Sequence, residues 1–194
     1  MIYERINPDS PWLTRAMVEI LNEWLKPSDI GLEWGSGRST DWFAIRVAHL
    51  ISVEHNPEWS EIVKEKLCTR GLIHRVDYKF LPDGKEGKRD SDYVNVAQSI
   101  KPNTLDFCLI DGVSRDHCAL ACLEKLKPGG ILIIDNVNWY IPRNPKSRSP
   151  NSRAPEDGFA SEEWNKLIGI IKNWRCIWFT SGIADTAIWI KESS

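Results

Sequence analysis

Glu33-Trp34-Gly35-Ser36-Gly37-Arg38-Ser39-Thr40 is the stretch that decides how this chain folds. It follows a short apolar run, Ile30-Gly31-Leu32, and precedes a helix-like segment, Trp42 to Val47. An acid, one spacer and a Gly-x-Gly at a strand-to-helix turn make a nucleotide-type loop. Glycine permits the tight turn and lets a ligand approach the backbone closely. The dinucleotide fingerprint is not met, because Thr40 stands where Gly-x-Gly-x-x-Gly needs its third glycine. Glu33 also sets a different electrostatic sign, since a carboxylate beside the turn repels pyrophosphate and suits an ammonium group. Glycine pairs also occupy such turns for purely structural reasons.

The next signal lies about twenty residues on, the spacing expected of a strand–helix–strand unit. Leu50-Ile51-Ser52-Val53-Glu54-His55 reads as a buried parallel strand ending in an acid. In Rossmann-like folds such an acid accepts hydrogen bonds from ribose hydroxyls. Glu54 would otherwise cap the helix that begins near Asn56-Pro57-Glu58. His55 offers a flat side chain that can lie along an adenine.

A chain of 194 residues fits one domain spanning 1–194, with enough length to bury a full core. A net charge of −2 with 27% charged residues gives no general case for nucleic-acid or membrane binding. Met1-Ile2-Tyr3-Glu4-Arg5 has neither the basic start nor the apolar core of a signal peptide. The five cysteines (Cys68, Cys108, Cys118, Cys122, Cys176) lack CxxC spacing and read as reduced, cytoplasmic thiols. Cys118 and Cys122 share a helix face, which suits core packing better than metal ligation. Of the ten tryptophans, Trp34, Trp139 and Trp164 lie close to functional-looking segments.

Strand and helix patterns alternate along most of the chain. Pro11 to Leu25 has helical spacing; strands are expected at Ile30–Trp34, Leu50–Glu54, Leu72–Val76, Leu105–Ile110 and Ile131–Ile134. Helices are expected from about Ser39, over Pro57–Leu67 with Gly71 as its C-cap, over Tyr93–Ile100 and over Arg115–Leu126. Apolar strands alternating with helices imply a parallel sheet covered on both faces. Residues 138–160 break the rhythm: they are rich in Pro, Ser, Asn and Gly, carry Arg143, Lys146, Arg148 and Arg153, and read as a flap or a disordered loop. After a helix at Ser161–Trp174, strands Arg175–Thr180 and Asp185–Ile190 are joined by a link too short for a parallel crossover. The expected fold is therefore α/β, a Rossmann-like doubly wound sheet, mostly parallel with a C-terminal antiparallel hairpin.

The Glu33–Gly37 loop, Glu54 at the second strand end, Asp106–Gly112, and the Lys127-Pro128-Gly129-Gly130 turn feeding Ile131–Asn136 together resemble class I S-adenosylmethionine (SAM) methyltransferases. The resemblance runs from about residue 28 to the C-terminus. It implies SAM as cofactor, with the methionine end at Glu33, Gly35, Ser36 and Gly37 and the ribose and adenine at Glu54 and His55. Glu33, Glu54, Asp77, Asp111 and Asp135 would converge on the carboxyl rim of the sheet, where open parallel sheets bind ligands.

Asp111, with Asp135-Asn136, also resembles the metal triad of catechol- and caffeoyl-type O-methyltransferases, which implies Mg²⁺ bound by oxygen ligands. That family places a lysine base three residues after the first aspartate, where this chain has Ser114. The competing reading makes Asp111 a plain acid facing substrate. For a hydroxyl acceptor a base must remove the proton, and the candidates are Asp111 and His117. The resemblance thus implies a cytoplasmic methyltransferase acting on a small-molecule acceptor, most simply by O-methylation. An NAD-dependent Rossmann oxidoreductase and a non-catalytic SAM-fold binding protein are the alternatives.

Overall fold

A computed structural model describes residues 9–192; the reading of Met1–Arg5 lies outside them. The chain runs α1 (Arg15–Trp24), β1 (Ile30–Trp34), α2 (Arg38–Arg46), β2 (His49–Glu54), α3 (Pro57–Thr69), β3 (Val76–Phe80) and α4 (Asp92–Asn95). It continues with β4 (Leu105–Ile110), α5 (Arg115–Cys122), β5 (Leu126–Asp135), α6 (Glu162–Ile171), β6 (Arg175–Thr180) and β7 (Asp185–Ile190). The seven strands form one sheet in the order β3-β2-β1-β4-β5-β7-β6. Only β7 runs against its neighbours, pairing antiparallel with both β5 and β6.

The period-2 alternation of side chains divides the core into two layers. Leu32, Trp34, Cys108, Ile110, Leu132 and Ile134 pack with Trp164, Leu167 and Ile171 of α6. Phe107, Leu109, Ile131 and Ile133 pack on the other face with Met17, Leu21, Phe43 and Leu67. Gly31 is required here, because a Cβ would lie 2.0 Å from the Phe107 ring. Helix α3 ends as expected: Gly71 has φ +66 and Leu72 N donates to Leu67 O at 2.8 Å. Among the described residues, no helix is long and apolar enough to cross a membrane.

The third strand corrects the sequence reading. Ile73–Arg75 forms a 3₁₀ turn, and β3 begins only at Val76. Asp77 therefore sits near the amino end of its strand, where it pairs with Lys79 at 2.9 Å. It is not on the carboxyl rim.

Residues 138–160 are tied to the rest of the fold by hydrogen bonds. Asn138 Nδ2 donates to Pro150 O and Ser152 Oγ, and Asp185 N donates to Asn138 Oδ1. Ser149 Oγ donates to Asp185 Oδ1 at 2.6 Å, Arg153 Nε to Gly158 O at 2.6 Å, and Arg143 lies over the Trp178 ring. Asp185 is the hub, since its Oδ2 also accepts from Trp178 Nε1 at 2.8 Å. Opening such a segment requires breaking buried hydrogen bonds. Trypsin is expected to spare Arg148 in the wild type and to cut there several-fold faster in Asp185→Ala; equal rates, read by mass spectrometry, contradict the pinning.

Candidate functional site

The sheet order places β1 between β2 and β4, the point at which successive crossovers go opposite ways and where doubly wound sheets bind ligands. Gly35 N donates to Val53 O and Asp111 N to Trp34 O, both at 2.9 Å, so the three strand ends stay joined beyond the ladder. A cavity of about 430 Å³ opens there, lined by the loop after β1 (Gly35–Ser39), the end of β2 (Glu54, His55, Asn56) and the end of β4 (Asp111, Gly112, Val113). Trp12 and Trp59 complete its wall.

Gly35 and Gly37 have different reasons to be glycine. Gly35 has φ +92, and a Cβ there would lie 2.7 Å from the backbone of Asp111 and Gly112, so this glycine is needed for the strand ends to close. A Cβ on Gly37 would meet only the Trp59 ring, at 3.7 Å. Gly37 is therefore free of packing constraint, and both glycines line the cavity.

Glu33 lies beneath the cavity floor and not in its wall. It is fully buried, accepting from Ser39 Oγ at 2.8 Å and from Ser52 Oγ at 2.7 Å. Burial raises its pKa from 4.5 to about 7, offset only in part by the hydroxyls of Thr40, Ser52 and Ser39. The folded protein therefore holds a proton that the unfolded chain releases between those two values. This contribution to stability is complete below about pH 4.5 and lost as pH rises through 7, a change of about 3 kcal/mol at most. Glu33→Gln should flatten the dependence of Tm on pH across that window; an unchanged slope would show that Glu33 stays ionised.

Glu54 is almost wholly buried and saturated with donors. Its Oε2 accepts from Ser36 N at 3.0 Å and Ser36 Oγ at 3.1 Å, and its Oε1 from His55 N and Asn56 N at 2.8 and 2.7 Å. The Ser36 hydroxyl also lies 2.8 Å from the Tyr78 hydroxyl. It can turn to Tyr78 and release a lone pair of Glu54 to an incoming hydroxyl. His55 Nδ1 is 3.0 Å from Glu54 Oε1 but out of hydrogen-bond alignment, and its ring meets Tyr93 edge-on. Asn56 caps α3 by accepting from Trp59 N, so the capping role weighed for Glu54 falls to its neighbour.

Asp111, Asp135 and Asn136 are brought together at the ends of β4 and β5, but the Arg115 guanidinium fills the space between them. Its Nη2 lies 3.1 Å from Asp111 Oδ1 and its Nη1 donates to Asn136 Oδ1 at 3.2 Å. Asp135 Oδ1 instead accepts from Thr186 Oγ1 on β7, at 2.6 Å. As they stand, these residues do not fit a divalent cation. Asp111 keeps 27% of its side chain exposed, toward the cavity that it lines. Burial and then Asp135 nevertheless push its carboxyl well above the usual range, against the pull of Arg115. Burial likewise raises Asp135.

His117 is not brought to the cavity. Its imidazole lies with the carboxylates of Asp116 and Glu163, where α5 meets α6. Ser114, at the position where the resemblance expects a lysine, has φ 46 and holds the 82–92 loop: its hydroxyl contacts Lys85 O, and its N donates to Glu86 at 3.1 Å. Sequence reasoning missed Arg38, Trp12 and Trp59. Trp12 stacks on Trp59 at 6.2 Å, Trp59 Nε1 donates to Ser36 O at 2.6 Å, and Arg38 lies over the Trp12 ring. Arg38 Nη1 is buried without a hydrogen-bond partner, which leaves a cationic donor at the cavity.

No protein-family model matches the chain, and no curated protein matches its sequence. Solved structures match it over nearly its whole length. A methyltransferase-like protein from Silicibacter pomeroyi is 19% identical, with 94% of this chain and 89% of that one covered at a TM-score of 0.59. An rRNA methylase from Streptococcus thermophilus is 12% identical, with 90% and 93% covered at 0.59. A precorrin 8W decarboxylase from Methanobacterium thermoautotrophicum is 16% identical, with 96% and 95% covered at 0.57. The fold is that of the class I SAM-dependent methyltransferases, a fold that also serves other chemistry.

Proposed function

We propose that this chain is a SAM-dependent methyltransferase whose acceptor is a small molecule methylated on a hydroxyl oxygen. The supporting observation is the cavity at the β1–β2–β4 ends, which gathers an unobstructed Gly37, the acid Glu54 and the acid Asp111. SAM, when bound, supplies a methyl group on a positively charged sulfonium. Glu54 accepts ribose hydroxyls, His55 and Val113 flank the base, and Arg38, through the Nη1 that lacks a hydrogen-bond partner, binds the methionine carboxylate. The buried Glu33 lies below the loop, held by Ser39 and Ser52, and does not touch the ligand.

Asp111 is the proton acceptor in this reading. Arg115 holds its Oδ1, while its Oδ2 has no protein partner among the described residues. A carboxyl raised toward neutrality by burial can take a hydroxyl proton as the oxygen forms its bond to the methyl carbon. Tyr140, stacked on Trp164 and 5.8 Å from Arg115, offers an aromatic wall on the acceptor's side.

A nicotinamide dinucleotide fits less well. Its pyrophosphate needs free backbone N–H groups at the glycine turn. Here Ser36 N is bound to Glu54 and Gly37 N donates to Thr40 Oγ1 at 2.9 Å. Transfer of a labelled methyl group from SAM to hydroxylated aromatic and aliphatic compounds tests the proposal. SAM binding without transfer to any of them favours a non-catalytic binding protein.

A further inference from the structure

We propose that Arg115 stands in this chain where related sites hold a divalent cation, so that the site is built to work without a metal and to exclude one. Arg115 has five N–H donors, and every one is used. Nε donates to Gly112 O at 2.8 Å; Nη1 donates to Asp135 O at 2.7 Å and to Asn136 Oδ1; Nη2 donates to Asp111 O at 2.9 Å and meets Asp111 Oδ1. The side chain thus ties the carboxyl end of β4 to that of β5 through three carbonyls and two side chains. A cation ligated by these side chains would have to displace the planar, fixed fork that now occupies both them and the three carbonyls.

Both residues flanking this clamp by sequence, Ser114 and Asn136, adopt positive φ, at 46° and 51°. Neither is glycine, so each is held in a disfavoured conformation by its surroundings. The Ser114 turn carries Arg115 to the strand ends, and the Asn136 turn brings its side-chain oxygen to Nη1. A +2 ion entering here would have to break these bonds and approach a buried +1 charge within a few ångströms. With all its donors engaged, Arg115 does not touch the acceptor. It is a positioning residue that fixes Asp111 and offsets the repulsion between Asp111 and Asp135. Only the consequence for turnover rests on the methyltransferase reading; exclusion of metal does not.

Electron paramagnetic resonance of Mn²⁺ titrated into the full chain tests this directly. Asp116, His117 and Glu163 form a separate candidate cation site, so the titration is done in a His117→Ala background. The expected result is no bound Mn²⁺ that depends on Asp135, and binding at least tenfold tighter once Arg115→Ala is added. Mn²⁺ bound with Arg115 present and lost in Asp135→Ala overturns the proposal. So does a folded Arg115→Ala protein that binds Mn²⁺ no better than its parent. If Arg115→Ala does not fold, the titration with Arg115 present decides alone. A positioning role further requires Arg115→Lys to lower kcat more than it changes the KM for SAM, and equal effects on both contradict it.

Discussion

Glu54→Gln is expected to weaken SAM binding by tenfold to about 150-fold while leaving the protein folded. Replacing the carboxylate removes charge-assisted acceptance of the ribose hydroxyls, worth about 1.5–3 kcal/mol. The amide keeps one oxygen for His55 N and Asn56 N, so the entry to α3 is retained, while its NH₂ group faces Ser36 N and costs that bond. Calorimetry gives the affinity, and circular dichroism with a thermal melt gives the fold. A folded variant with unchanged SAM affinity would remove Glu54 from the cofactor site. Gly35 variants are less informative, because a Cβ there collides with Asp111 and Gly112 before any ligand is present.

The largest effect on turnover is expected from Asp111→Asn. Loss of a general base typically costs 10²–10⁴ in rate. The asparagine keeps an oxygen for Arg115 Nη2, so the clamp between β4 and β5 is retained and SAM affinity should change little. In the wild type, kcat should rise with pH as Asp111 loses its proton, and that limb should vanish in the variant. His117→Ala should leave turnover near wild type, because its imidazole lies with Asp116 and Glu163 on the α5–α6 side. The opposite pattern, with His117 essential and Asp111 dispensable, would reverse the assignment of the base.

These expectations draw unequally on sequence and structure. β1, β4, β6 and β7 match their sequence expectations to the residue, since each is a strand bounded by polar or turn residues. The third strand was misplaced because Leu72-Ile73 looked like its start. In fact the chain leaves the Gly71 cap through a 3₁₀ turn, and the alternation Val76, Tyr78, Phe80 marks the true strand. That shift, from Leu72–Val76 to Val76–Phe80, is what takes Asp77 off the rim.

The site itself was partly legible. The loop after β1 and the acids ending β2 and β4 follow from local pattern, and they do meet in one cavity. The role of Arg115 was not legible, because it depends on reaching Asp135 and Asn136 across the gap between two strands. Local spacing showed only that Ser114 stands where the resemblance expects a lysine. Residues 138–160 looked loose for a related reason. Their polar side chains satisfy one another and Asp185 at a distance in sequence, which composition does not reveal.

Calorimetric titration of the full chain with SAM, with its demethylated product and with NAD tests the central claim most directly. SAM and its product should each bind once and compete for one site, and Glu54→Gln should weaken both. NAD should give no heat beyond dilution. NAD binding that SAM cannot displace, or no binding of SAM by the folded protein, would contradict the assignment of the β1–β2–β4 cavity as a SAM site.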